Sequence, residues 1–201
     1  LMQGGRATGV EGRFHDPEAQ VDGPPLRVTA RKAVIVACSA IQTPLLLRDS
    51  GVKHPLLGRR LQAHPGTGVV GLFDEPVNIW FGATQGYETP HFWDERMKME
   101  TVGLPLELGA VRLPGLGAEL MEQLADYGHV SMWGVQIRAR AQGRVKRTIF
   151  GNPKIRIDFT KQDMRDLKKG IKRLTRLKFE AGARRVLPGV HGLPDSITSP
   201  E

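Results

Sequence analysis

The sequence predicts an α+β fold, and three observations carry that prediction. A short apolar run, Ala33–Cys38, leads through a tight turn into a helical pattern, the order of a strand–helix unit. Three strand-like runs, His129–Arg140, Arg144–Phe150 and Lys154–Phe159, follow one another through short turn-forming connectors, as in an antiparallel meander. A long amphipathic helical pattern, Asp163–Ala181, comes directly after them. The expected architecture is the end of an α/β domain over residues 1–64, a second domain over 65–190 with a largely antiparallel sheet packed by helices, and a tail over 191–201.

Arg6–Arg13 and Leu26–Ala30 read as two short strands. The polar stretch His15–Pro25 between them carries turn signals at Asp16–Pro17, Asp22–Gly23 and Pro24–Pro25. Ala33–Cys38 lacks alternation, which suits a strand buried on both faces; a buried helix segment would look similar, but the helical pattern starts only at Gln42–Arg48. Pro44 suits a first helical turn, where its missing N–H costs nothing, and Gly51 ends that helix. Thr67–Phe73 and Val77–Gly82 have β character. Gly86–Pro114 reads as loop with a strand near Leu106–Leu113, and Gly117–Tyr127 as a helix.

The helix Asp163–Ala181 is the clearest element. Met164, Leu167, Ile171, Leu174 and Leu177 recur at spacings of three and four, and the face of Met164, Leu167, Ile171 and Leu174 is expected to pack on the sheet. Thr160 can cap its start with Asp163 as a capping-box partner, and Gly182 ends it. Leu187–Glu201 reads as an exposed tail.

Composition narrows the function classes. The chain has 201 residues, 40% of them hydrophobic, enough for a real core. A single cysteine, Cys38, excludes a disulfide within the chain and any zinc site built on several cysteines. No apolar run approaches the roughly 18 residues a membrane-spanning helix needs, and no signal peptide is visible, so a cytoplasmic protein without a membrane span is expected. The chain opens at Leu1 rather than methionine, which suggests a piece of a longer protein.

The formal net charge is +8, and the stretch from Lys161 to Arg185 holds most of that excess. A nucleic-acid patch is one reading and a solvated lysine-rich helix face the other; the absence of interleaved aromatics favours the second, so no nucleic-acid partner is expected. Gly66-Thr67-Gly68-Val69-Val70-Gly71 matches G-x-G-x-x-G in letters, but Pro76 forbids a following helix and the β-branched residues favour a strand, so it reads as a decoy. None of the six histidines has metal-ligand spacing, and Cys38 reads as a small buried hydrophobe.

The segment Val34–Val52 resembles the second signature of the glucose–methanol–choline (GMC) family of flavin oxidoreductases. The matching residues are Ser39, Ala40, Thr43, Pro44, Leu46, Leu47, Ser50, Gly51 and Val52; Lys53 replaces the final glycine, and Ser39 stands where the family usually has glycine. Ala7-Thr8-Gly9-Val10-Glu11 and Leu57–Pro65, with its Leu-Gln-x-His-Pro element, resemble the flanking elements. Gln142–Val145, Ile157–Thr160 with Asp163, and Ala181–Ala183 resemble the substrate-domain sheet and the helix after it, most like bacterial members related to long-chain alcohol oxidases.

The resemblance implies that residues 1–64 are part of an FAD-binding domain and 65–190 a substrate-binding domain. It implies FAD as cofactor, with Ala37, Cys38, Ser39, Thr43 and Pro44 beside it and His64 toward its flavin side. It implies an alcohol substrate, long-chain or otherwise hydrophobic, whose carbon gives a hydride to FAD while a histidine manages the hydroxyl proton. The family's pyrophosphate-binding glycine loop would precede Leu1 and its catalytic histidine pair would follow Glu201, so no catalytic residue is expected within these 201 residues. Without those parts the chain is expected to retain no FAD and to be inactive. The alternative is a non-catalytic remnant or a basic interaction domain. An apolar surface is expected beside Val34–Ala37, where partners outside the chain would cover it.

Overall fold

The structure, a computed structural model, describes residues 1–200. In chain order its elements are β1 (Met2–Gln3), β2 (Arg6–Ala7), β3 (Gly9–Asp16), β4 (Val21–Thr29), α1 (Ser39–Asp49), β5 (Arg59–Leu61) and β6 (Gly66–Leu72). There follow β7 (Glu88–Thr89), β8 (Met97–Thr101), the one-turn helix α2 (Leu106–Gly109), α3 (Ala118–Ala125) and β9 (Val130–Ile137). The last are β10 (Gly143–Arg147), β11 (Pro153–Arg156), α4 (Lys161–Glu180) and β12 (Arg185–Leu187). Every strand pairing among the described residues is antiparallel, and the fold is α+β. The chain forms two compact units: residues 1–61 with 142–158, and residues 62–141 with 159 onward.

In the first unit, β3 and β4 form a hairpin that runs through the stretch expected to be a polar connection. The turn is confined to residues 17–20, where Asp16 Oδ1 accepts the N–H groups of Glu18 at 2.9 Å and Ala19 at 3.0 Å. Pro24 and Pro25 are tolerated within β4 because a two-stranded hairpin has only edges, where a missing donor goes unnoticed.

Ala33–Ala37 is not the buried strand that its composition suggests. It joins no ladder, and Ile35 is 89% exposed. An apolar run of this kind needs cover on both faces, and the described residues do not provide it. Cys38, expected to be buried, is consequently exposed. Helix α1 begins three residues before Gln42, which places Pro44 inside the helix rather than in its first turn.

The expected meander is also corrected. β9 pairs with β6 and β8, whereas β10 pairs with β11 on one side and with β5 on the other. Ala141–Gly143 is therefore a crossing between sheets rather than a hairpin turn. Two short turn-forming connectors look alike whether the chain reverses or moves on, so pattern alone could not separate the cases.

The second unit is a five-stranded sheet in the order β12-β6-β9-β8-β7. Alternation along β6 sends Val69 to one core and Val70 to another. The first core gathers Val69, Met97, Met99, Val135, Ile137 and Leu174 under α4. The second packs Val70, Leu72, Tyr127, Val130 and Met132 against Leu120 and Leu124 of α3. Val77–Gly82 is loop, its Val77 and Asn78 N–H groups both donating to the Gly128 carbonyl, at 2.8 and 3.0 Å. The strand expected near Leu106–Leu113 is instead α2 with a 3₁₀ turn.

Helix α4 carries the predicted capping box: Thr160 Oγ1 accepts the Asp163 N–H at 3.0 Å, and Asp163 Oδ2 accepts the Thr160 N–H at 2.9 Å. Leu167, Ile171 and Leu174 face the sheet as expected, but Met164 and Leu177 are exposed. The contact stripe instead includes Gly170, where a Cβ would stand 2.5 Å from Val135 Cγ2. Leu187 is buried within β12, and Ile197 bridges to Val186 and packs on the first core, so the expected tail is partly anchored.

Candidate functional site

Of the residues singled out in the sequence, Ala37, Cys38, Ser39, Thr43 and Pro44 share the entry to α1 in the first unit, and His64 belongs to the second unit. Each place is built by its own local chemistry.

At the α1 entry, Ser39 has a left-handed backbone, φ 66°. A residue with a Cβ pays for that conformation and glycine does not, which accounts physically for glycine being usual at this place in the resembling family. Serine compensates with its hydroxyl. Ser39 Oγ accepts the N–H groups of Ile41 and Gln42, both at 3.3 Å, as an N-cap would. Thr43 Oγ1 accepts the Cys38 N–H at 3.1 Å, which ties the helix back to the incoming chain. Ala37, Cys38, Ser39 and Ala40 are all exposed and small.

Three N–H groups at the helix start are already engaged by Ser39 and Thr43, so the turn is not a phosphate cradle. Its small, open side chains do leave the backbone approachable by a flat ring. Their chemistry suits close approach of a flat group to the backbone more than a phosphate.

His64 lines a cleft of about 480 Å³ with Trp93, Asp94, Arg96, Lys98, Gln136 and Arg138. The cleft is rich in cations, but Arg96 is committed to structure: its Nε donates to the Arg138 carbonyl at 2.9 Å. Beside it lies a polar network that the sequence did not flag. Glu100, 6% exposed, accepts from Gln85 at 3.0 Å and from Gln136, and pairs with Lys98 at 2.7 Å. Burial raises the Glu100 pKa, but the Lys98 and Gln136 hydrogen bonds outweigh it and hold the carboxyl below its ordinary range. Lys98 is raised in turn by its bonds to Glu100 and Glu88. Gln136 Oε1 is buried without a hydrogen-bond partner among the described residues. The signal for this network was present in Met97-Lys98-Met99-Glu100, whose alternation marks a strand with one apolar and one polar face.

Gly66, Gly68 and Gly71 lie along β6, and no helix follows them. Their small size is used for packing: a Cβ on Gly66 would meet Gln136 Cγ at 2.7 Å, and one on Gly71 would meet Lys178 Cδ at 2.9 Å. Among the described residues no cluster of His, Cys, Asp and Glu could hold a metal ion, and no helix is long and apolar enough to cross a membrane.

An antiparallel sheet under a long capped helix, with a separate strained helix entry, defines a mixed α+β scaffold. Residues 1–66 match the family model described as GMC oxidoreductase. Over 203 aligned residues, 100% of this chain and 31% of the relative, the chain is 36% identical to an uncharacterized GMC-type oxidoreductase of Mycobacterium tuberculosis H37Rv. It is 31% identical over 201 residues, 95% of this chain and 37% of the relative, to the GMC-type oxidoreductase y4nJ of Sinorhizobium fredii. It is 30% identical over 166 residues, 77% of this chain and 21% of the relative, to the long-chain-alcohol oxidase FAO1 of Arabidopsis thaliana. Residues 1–66 thus match the GMC oxidoreductase family, the relatives along the rest of the chain are GMC-type oxidoreductases, and the chain spans about a third of the length of the curated relatives it matches.

Proposed function

We propose that this chain is the central part of a flavin-dependent oxidoreductase that oxidises the CH–OH group of an alcohol. The observation that carries the reading is the match of residues 1–66 to the GMC oxidoreductase family, which includes the turn where Ser39 takes up φ 66°. A long-chain or otherwise hydrophobic alcohol is proposed because long-chain-alcohol oxidases are among the relatives.

In this reading residues 1–64 are part of the FAD-binding domain and 65–190 the substrate-binding domain. Ala37, Cys38, Ser39, Thr43 and Pro44 hold the adenosine part of FAD, and His64 serves the flavin side from its own cleft. When bound, FAD supplies the hydride acceptor. The chain's own part is positional. Ser39 and Thr43 fix the backbone that the nucleotide approaches, and small side chains keep that approach open. The pyrophosphate loop and the histidine that takes the hydroxyl proton belong to other parts of the same protein, a reading supported by relatives about three times as long. A cytoplasmic setting is part of the proposal, supported by the lone cysteine.

The test compares the 201-residue chain with the full-length protein that contains it. Titrated with FAD, the chain is expected to show no saturable quenching of flavin fluorescence. The full-length protein is expected to purify yellow and to bleach when a long-chain alcohol is added without oxygen. Ser39→Val in that protein is expected to loosen the flavin. A full-length protein that is colourless, or whose flavin no alcohol reduces, would sink the reading.

A further inference from the structure

The three-stranded sheet β11-β10-β5 has an unusual face. Arg144 lies opposite Arg156 on one side and Arg59 on the other, so three arginines stand in a row across three strands. Two residues along, Lys146 lies opposite Lys154. Residues paired in register, and residues two apart, share a face, so these five cations point the same way. Like charges directly opposite one another destabilise a sheet, and here the arrangement occurs in two successive rows. All five residues are exposed. Among the described residues Arg156 has one ion pair, with Asp158 at 2.9 Å, and the other four have none.

The opposite face of the same hairpin is ordinary. Val145 is buried, α1 packs against β10 and β11, and Asp49 of α1 takes the guanidinium of Arg147. The two faces thus differ sharply, one packed and internally neutralised, the other bare and cationic.

The hairpin's tip is the second anomaly. The turn after β10 closes through Thr148 N–H to the Asn152 carbonyl at 2.8 Å and Gly151 N–H to the Thr148 carbonyl at 3.1 Å. Its two central residues are Ile149, 93% exposed, and Phe150, 84% exposed. Turns favour Gly, Asn, Asp, Ser and Pro at such places, so two large apolar side chains here gain nothing from the local structure.

We propose that this hairpin docks the protein on an anionic lipid bilayer, with Ile149 and Phe150 inserted among the acyl chains and Arg59, Arg144, Arg156, Lys146 and Lys154 set against the headgroup phosphates. Both anomalies are resolved by one surface, since a bilayer presents negative charge and an apolar interior a few ångströms apart. A polynucleotide would answer the cations but offers no apolar depth for Ile149. The contact is peripheral and reversible, and it holds whether or not the flavin reading does, because its readout involves no redox chemistry.

The test is co-sedimentation of the full-length protein that contains this chain with phosphatidylcholine vesicles and with vesicles containing about a third phosphatidylserine. Binding is expected on the anionic vesicles alone, weakening as salt rises. K146Q/K154Q is expected to lower the partition coefficient about 30-fold, roughly fivefold per cation removed. I149S/F150S is expected to lower it at least about tenfold. Both pairs are exposed, and the salt titration of the unaltered protein tests the charge contribution without any substitution. Equal binding to neutral vesicles, or no binding to anionic ones, overturns the proposal. So does an I149S/F150S protein that binds like the parent while duplex DNA competes, which would make the face a site for polyanions rather than for a bilayer.

Discussion

The side-chain hydroxyl of Thr43 accepts the backbone N–H of Cys38 at 3.1 Å, so the helix holds the chain that leads into it. Between the two lies Ser39, in the left-handed region and bonded through its own hydroxyl to Ile41 and Gln42. The small exposed turn is thereby fixed by its own side chains.

Substitutions at Ser39 should rank by backbone freedom and capping together. Ser39→Gly loses the cap but relieves φ 66° and should cost only a few tenths of a kcal/mol. Ser39→Ala loses the cap and keeps the strain, and should cost about 1–2 kcal/mol. Urea unfolding of the two variants checks the order; alanine as stable as glycine would contradict the left-handed geometry.

Asp163 should make stability fall in acid. Burial raises its pKa, but the N–H groups of Arg140, Thr160 and Ala141 and the Thr160 hydroxyl outweigh burial and hold the carboxyl at about 2, against an ordinary 3.8. The folded pKa is the lower one, so this contribution is complete above about pH 4 and is lost as pH falls toward about 2. Asp163→Ala should remove this acid dependence and cost roughly 2 kcal/mol at neutral pH, read by denaturant unfolding.

Lys178 should act in the same direction in a higher pH window, because its folded pKa is also the lower one. It is 2% exposed, donates to Ser131 Oγ at 2.7 Å, and lies 5.9 Å from the ring centroids of both Phe73 and Trp133. Burial pushes its pKa down from 10.5 to about 7. The unfolded chain therefore binds the extra proton between about pH 7 and 10.5, and this residue's contribution to stability rises with pH across that window. Lys178→Met should flatten the rise and be at least as stable as the parent at pH 6, a result available from unfolding curves at three pH values.

What the sequence determined by itself is local. Thr160 and Asp163 could be read as a capping box because both bonds close within four residues, and Leu167, Ile171 and Leu174 as a buried face because a helix fixes their spacing. The strand-bound glycines Gly66, Gly68 and Gly71 could be set aside because Pro76 rules out the helix their motif requires. The signature around Ser39 and Pro44 pointed, from residue types alone, to the family whose model residues 1–66 match.

The tertiary structure decided what depends on partners distant in sequence. Whether Ala33–Ala37 becomes a strand depends on an edge to pair with, and it pairs with none among the described residues. Whether Gly143 follows a hairpin or a crossing depends on β5, some eighty residues earlier, taking it as a neighbour. Glu100 and Gln136 meet only because β8 and β9 pair in a particular register, and Arg59, Arg144 and Arg156 form a row for the same reason. A backbone hydrogen-bond ladder carries no signature of which side chains it will bring together, since any residue with an N–H and a carbonyl can occupy it.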